Sequence, residues 1–227
     1  MKILALDTAT EACSAALSLN NQVYARFTEA PRGHGELILG MIDELMQTAA
    51  ATVTELDAVA FGRGPGSFTG VRIATAVAQA IGFGANLPLV PISNLALLAQ
   101  GLYRTTGALK IAVALDARMG EIYWGAYHMV SGVAQAVADE QVLAPDQLVW
   151  NLTGGAWQGV GRGFTTYADV LIPRLDRSCN LSSANLLCNA QDLIPLAQAA
   201  LTDSNTPLAT ATPIYLRNQV VHLKPHH

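Results

Sequence analysis

Charge is scarce in this sequence. Only 13% of its 227 residues are Asp, Glu, Lys or Arg, while 51% are hydrophobic. A thin charged surface therefore surrounds ample material for a core, in one large domain or two small ones. The net charge of −4 gives no general attraction to a polyanion, and no Lys/Arg cluster supplies a local one, so direct nucleic-acid binding is not expected. No run reaches the roughly 18 uninterrupted apolar residues of a membrane helix. The closest, from Val71, is broken by Arg72, Gln79, Asn86 and Pro88. The opening apolar run stops at Asp7 and is too short for a signal peptide.

Cysteine and histidine are equally sparse. Cys13, Cys179 and Cys188 show no CxxC spacing, which points to buried thiols in a reducing, cytoplasmic setting rather than to a disulfide framework. Asn151-Leu152-Thr153 and Asn180-Leu181-Ser182 are then chance sequons. His34 and His128 are the internal histidines, and His222, His226 and His227 lie in the tail. Outside the tail no His-x-x-x-His pair exists, and the one such spacing, His222 to His226, has Pro225 inside it, so neither a metal nor another cofactor is expected. Ser67 sits in Gly66-Ser67-Phe68, which is not a Gly-x-Ser-x-Gly nucleophile elbow.

What the chain does have is glycine in one place. Gly62-Arg63-Gly64-Pro65-Gly66-Ser67-Phe68-Thr69-Gly70-Val71-Arg72 follows the apolar run Ala58–Phe61 and leads into small apolar residues up to Ala85. The local reading is strand, tight turn, helix. Such a turn converges backbone N–H groups at a helix start, where an anion or a close-packed partner is favoured. It is not a P-loop, because no lysine follows a glycine, and not a dinucleotide fingerprint, because Thr69 stands where the third glycine belongs. A structural turn and a ligand loop both fit.

Along the chain, Lys2–Leu6 reads as a strand ending on Asp7, Cys13–Leu19 as a second and Gln22–Thr28 as a third, joined by Asn20-Asn21. Helices are expected over Gly35–Thr48, from the glycine loop to Ala85, and from an N-cap at Ser93 to Tyr103. The strands between them are Leu56–Phe61 and Leu87–Ile92. The pattern then restarts. Lys110-Ile111-Ala112-Val113-Ala114-Leu115-Asp116 echoes Lys2-Ile3-Leu4-Ala5-Leu6-Asp7 with one extra residue, followed by a strand over Ile122–His128 and a third over Val137–Leu143. A short helix at Asp146–Trp150, a second glycine loop at Gln158–Gly163, and helices over Thr165–Ile172 and Asp192–Leu201 complete the pattern. The expected architecture is α/β, with an N-terminal lobe at 1–105, a C-terminal lobe at 106–212, and a tail at 213–227 that returns to the first lobe. Each lobe opens with a βββ meander, and a cleft lies between them.

Two strand–Asp–turn–strand hairpins facing a cleft resemble the phosphate-gripping device of the actin-like ATPase and sugar-kinase superfamily. That device needs glycine in the turn so that backbone can reach phosphate oxygens. Thr8-Ala9-Thr10 has none, and Ala117-Arg118-Met119-Gly120 has one, late. Asp7 and Asp116 either bind Mg²⁺ or cap their own turns; the worn turns favour the second reading. Asp7, Thr8, Gly64, Gly66, Ser67 and Asp116 form a degenerate nucleotide loop.

The two early helices carry more apolar surface than a sheet needs. Leu37, Met41 and Leu45 on the first, and Gly70, Ala74, Val77, Ala78 and Ile81 on the second, are expected at a protein–protein interface, with no charge anywhere from Ile73 to Tyr103. The alternative is burial within one domain. Arg72 and Arg118 read as loop anchors through salt bridges, the alternative being contact with a nucleic acid.

The stretch Gly64-Pro65-Gly66-Ser67-Phe68-Thr69-Gly70-Val71-Arg72-Ile73 resembles the signature of the bacterial TsaB (YeaZ) family. It occurs with Ile3-Leu4-Ala5-Leu6-Asp7-Thr8-Ala9-Thr10, with Leu115-Asp116-Ala117-Arg118-Met119-Gly120-Glu121-Ile122-Tyr123 and with Pro213-Ile214-Tyr215-Leu216-Arg217, in the family's order. The resemblance implies a two-lobed actin-like/ribonuclease H-like fold, shared with the paralogous, glycoprotease-like TsaD. It also implies a non-catalytic scaffold that pairs with TsaD and the ATPase TsaE in threonylcarbamoyladenosine formation on tRNAs reading codons that begin with A. On this reading tRNA is met only through the complex, and the chain alone forms a homodimer through its N-terminal lobe. TsaD carries a His-x-x-x-His metal pair on the helix after the glycine-loop helix. Here Asn94 and Leu98 stand in those places, and an amide with an isobutyl group is no metal site. The rival readings are an actin-like-fold ATPase or kinase and, nearly excluded, a metallopeptidase.

Overall fold

The computed structural model describes residues 1–30, 33–177, 179–181 and 183–203. The expected tail at 213–227 lies outside the described residues, as do His222, His226 and His227.

Strands β1 (Ile3–Asp7), β2 (Ala12–Leu19) and β3 (Gln22–Glu29) form an antiparallel meander. Asn20 and Asn21 turn the second hairpin with φ of 51° and 62°, a pair that asparagine tolerates. Helix α1 (His34–Thr48) follows, then β4 (Ala58–Gly62), α2 (Phe68–Ala85), β5 (Leu89–Ile92) and α3 (Asn94–Thr106). β4 lies parallel to β1, and β5 parallel to β4, so the first sheet runs β3-β2-β1-β4-β5.

The plan repeats in β6 (Lys110–Arg118), β7 (Glu121–Val130), β8 (Val133–Ala136), β9 (Gln141–Leu143) and β10 (Gln158–Val160). β10 lies parallel to β6 as β4 lies parallel to β1. Two one-turn helices, α4 (Gly163–Thr166) and α5 (Ala168–Leu171), stand where one helix over Thr165–Ile172 is expected. A 3-10 turn at Pro145–Gln147 replaces the short helix expected at Asp146–Trp150. Helix α6 (Leu193–Thr202) ends the described chain. Two such sheets with their helical layers make the two-lobed actin-like/ribonuclease H-like fold.

The third strand of the second meander differs from its expected span of Val137–Leu143. It is split into β8 and β9, which pair with opposite ends of β7. Between them Glu140 turns inward, where its carboxylate accepts from the Ser93 hydroxyl and, at 2.5 Å, from Tyr127. A carboxylate receiving two buried hydroxyl donors interrupts the ladder, and no local pattern announces it.

β1 is buried on both faces, hence its unbroken apolar run. Leu4 and Leu6 face α1 and α2 together with Leu17, Val59, Phe61, Ile38, Leu45 and Ala74. Ile3 and Ala5 face a second core shared with Leu95, Leu98, Leu102, Val113 and Leu193. That second core joins the lobes. α3 packs on β6, β7 and β8, while α6 packs on β1, β4 and β5, so each helix covers a sheet of the other half of the chain. Arg104 on α3 grips the buried Asp192 at the start of α6 with two hydrogen bonds, at 2.6 and 3.1 Å. The expected boundary at 105/106 falls between α3 and β6, and packing crosses it. A third core on the outer face of the second sheet gathers all three tryptophans, with Trp124 edge-on to Trp150 and to Phe164 at 6.1 and 6.2 Å between centroids.

Candidate functional site

The glycine loop leaves the end of β4 beside the turn that follows β1. Ser67 caps α2, its Oγ accepting from Gly70 N at 3.0 Å. Ser67 N then donates to Ala9 O at 2.7 Å, and the Thr8 hydroxyl donates to Gly70 O at 2.6 Å. The first hairpin is thus docked, through one backbone bond and one hydroxyl, on the loop that a phosphate would need. A Cβ on Gly66 would strike the Ala9 carbonyl oxygen, and one on Gly70 the Thr8 carbonyl oxygen. These glycines serve close approach of the chain to itself. Gly70 therefore starts no outward face, a correction to its expected place in a partner interface.

Asp7 lies behind this contact and is fully buried. Its Oδ1 accepts from Asn94 Nδ2 at 2.6 Å, and Asn94 Oδ1 accepts from Gly64 N at 2.8 Å. A Cβ on Gly62 would collide with Asp7 Oδ1. Asp7 Oδ2 has no partner. Burial pushes the carboxyl up to about 6, against the pull of Asn94, the Ala9 backbone and His34. The position expected for the first histidine of a metal pair thus holds an amide bonded to the aspartate, and Leu98 beside it is buried in the shared core. His34 itself lies between two carbonyl oxygens, those of Thr8 (3.1 Å from Nδ1) and Ala30.

A cavity of about 590 Å³ lies between the lobes. Gly66, Ser67 and Asp116 line it, whereas Asp7, Thr8 and Gly64 stand behind its wall. Asp116 is occupied on both oxygens. Oδ1 accepts from Arg118 N (2.8 Å) and the Tyr167 hydroxyl (3.2 Å), and Oδ2 pairs with the Arg118 guanidinium at 3.1 Å. The Tyr167 hydroxyl is held above its usual range by burial and by this carboxylate. Asp116 thus caps its own turn, where Arg118 and Met119 adopt φ of 62° and 54°. Among the described residues no group of three or more His, Cys, Asp or Glu side chains is placed to hold a metal ion.

The last wall of the cavity went unread in the sequence. Arg162, between two glycines of the second loop, reaches over to Glu29 at 2.7 Å and Glu11 at 3.5 Å. The signal available was the repeated Gly-Arg-Gly, Gly62-Arg63-Gly64 and Gly161-Arg162-Gly163, each following a strand.

The interface residues divide. Leu45, Ala74 and Ala78 are fully buried against the first sheet and, like Gly70, cannot meet a partner without unpacking the core, which corrects that expectation for all four. Leu37 is exposed, and Met41, Val77 and Ile81 are half-buried. Around them Leu39 and Phe83 are 57% and 76% exposed. Arg72 stacks on Phe68, 3.4 Å from the ring centroid.

A family model described as TsaD, tRNA N6-adenosine threonylcarbamoyltransferase, matches residues 28–194. The TsaB protein of Escherichia coli K12, named as a tRNA threonylcarbamoyladenosine biosynthesis protein, is 39% identical, over 99% of this chain and 98% of its own. The chain belongs to the TsaB (YeaZ) family. The Haemophilus influenzae TsaB is 37% identical over 99% of this chain and 97% of its own. The structure of YeaZ from Pseudomonas aeruginosa superposes with a TM-score of 0.88 at 39% identity, covering 95% of this chain and 99% of that one. The TsaD-type match spans the end of β3 to the start of α6, both glycine loops included, so the TsaB chain shares a family pattern with the threonylcarbamoyltransferase through its cleft.

Proposed function

We propose that this TsaB-family chain acts in tRNA threonylcarbamoyladenosine biosynthesis as a non-catalytic subunit, pairing with a TsaD paralogue and assembling with the ATPase TsaE in the cytoplasm. The observation that carries the reading is the docking of Thr8-Ala9 on Gly66, Ser67 and Gly70. Gly64 N, Ser67 N, Gly70 N and the Thr8 hydroxyl are satisfied by the chain itself, and the Asp7 carboxylate is bonded to Asn94. A nucleotide would have to displace these bonds to reach those donors. Catalysis then belongs to the paralogue, and tRNA is met only through the complex.

The surface assigned to pairing is the outward side of α1 and α2, with Leu37, Leu39, Met41, Val77, Ile81 and Phe83. It is apolar, and its charges are confined to positions such as Glu36, Asp43 and Arg72. The same surface serves a homodimer when the paralogue is absent, so the two assemblies compete. Two measurements test the proposal. Titration of Mg-ATP into the isolated chain should give no saturable heat, and the tagged chain should retain a co-expressed TsaD paralogue as a stoichiometric complex. Micromolar Mg-ATP binding with turnover would instead support an ATPase or kinase, and failure to retain the paralogue would remove the scaffold role.

A further inference from the structure

The side chain of Arg162 spans the cavity between the lobes. Arg162 places one terminal guanidinium nitrogen 2.7 Å from Glu29 Oε1 and the other 3.5 Å from Glu11 Oε1. Both ends of this contact rest on held backbone. On the second lobe, Gly161 N donates to Ala184 O at 2.9 Å and Thr166 N to Arg162 O at 2.8 Å. A Cβ on Gly161 or Gly163 would run into Ala114 O, so the loop lies flat against β6. On the first lobe, Glu29 ends β3 opposite Ala12, and Glu11 O accepts from Ala30 N at 3.0 Å.

We propose that Arg162 is an interlobe latch that holds the cleft closed by bridging Glu11 and Glu29. Without the guanidinium, two carboxylates on neighbouring positions of the first lobe repel each other and hold nothing across the gap. With it, one cation is shared by two anions, and the rim keeps a net negative charge that disfavours an incoming phosphate. The other charges on the cavity wall do not compete, because Asp116 and Arg118 pair with each other and His34 is turned to the carbonyls of Thr8 and Ala30. The bridge ends one residue from Thr10 on the hairpin whose Thr8 and Ala9 are bonded to Gly70 and Ser67 at the start of α2. Opening of the latch therefore pulls on the base of the helix whose outward side is the candidate partner surface.

Hydrogen exchange read by mass spectrometry on the full chain tests the latch. In Arg162→Ala, and more weakly in Glu29→Gln, peptides covering residues 8–12 and 160–166 should exchange about fivefold faster, while those covering β1 and β6 keep wild-type rates. The charge-exchanged double variant Arg162→Glu with Glu29→Arg should return both peptides to near wild-type protection. Salt should speed exchange of these peptides in the wild type but not in Arg162→Ala. Unchanged exchange in Arg162→Ala would overturn the proposal, as would failure of the double variant to recover. Loss of protection across both sheets would also overturn it, because Arg162 would then be a folding residue and not a latch.

Discussion

Asn94 Nδ2 lies 2.6 Å from Asp7 Oδ1, joining the first residue of α3 to the last residue of β1 across 87 positions of chain. This bond closes the space between the glycine loop and the helix at the base of the cleft. It leaves Asp7 with one oxygen satisfied and the other without a partner. A buried carboxyl in that state favours its protonated form.

Asp7 should therefore set a pH slope on stability. Its carboxyl is raised from 3.8 to about 6, so the folded chain binds a proton more tightly than the unfolded chain. Stability from this group is fully present below about pH 4 and lost as pH rises through 6, an effect of about 3 kcal/mol. Asp192 is raised by burial as well and adds a slope of the same sign. Asp7→Asn, whose amide oxygen can still accept from Asn94, should flatten the curve and be the more stable protein at pH 7.5. Urea unfolding across pH 4 to 8 reads this directly. Equal slopes for the two proteins would remove the assignment.

Much of the fold could be read from local pattern because its determinants are local. Ser93 was legible as a cap, and it accepts backbone N–H groups at the first turn of α3 as Ser67 accepts one at the first turn of α2. The restart at Lys110 was legible because β1 and β6 share a buried apolar run that leads into an aspartate. Helix faces were not. α2 is apolar on nearly every side, so periodicity could not tell that Ala74 and Ala78 meet the sheet while Ala76, Ala80 and Phe83 point out. The contacts that define the cleft were the least legible, since Arg162 and Glu29 are 133 residues apart and nothing local couples them.

Gly70→Ala should cost at least about 2 kcal/mol, because the new methyl group meets the Thr8 backbone carbonyl, which cannot swing away. For a chain of this length that is a fall in Tm of roughly 4–8 °C. Gly66→Ala meets Ala9 O and should behave alike. Gly40→Ala, at an open position inside α1, should gain about 0.5–1 kcal/mol by stiffening the unfolded chain. Calorimetric melting of the three separates close approach from glycine content, and a neutral Gly70→Ala would refute the docked-hairpin account.

Arg104→Ala leaves the nearly buried Asp192 without its counter-ion and should destabilise by about 3 kcal/mol. Adding Asp192→Asn should recover much of that, because the remaining side chain is neutral. A double-mutant cycle by chemical unfolding checks the sign of the coupling, and strictly additive losses would show that the pair does not join α3 to α6 energetically.

The last prediction separates partner binding from folding on α2. Ala78 is fully buried between α2 and the first sheet, so Ala78→Glu places a charge in a core with no counter-ion. It should lose more than about 4 kcal/mol and yield little soluble protein. Phe83→Glu changes a side chain that is 76% exposed, and Leu39→Glu on α1 one that is 57% exposed. Both should melt within about 2 °C of the wild type, since surface substitutions away from special features stay within roughly 0.5 kcal/mol. If this side of the helices carries the TsaD paralogue, both stable variants should lose co-purification with it, and the isolated chain should shift toward monomer in sedimentation. Retained pairing in stable Leu39→Glu and Phe83→Glu would move the partner to another surface, whatever happens to Ala78→Glu. Loss of pairing in Ala78→Glu alone would report only an unfolded chain.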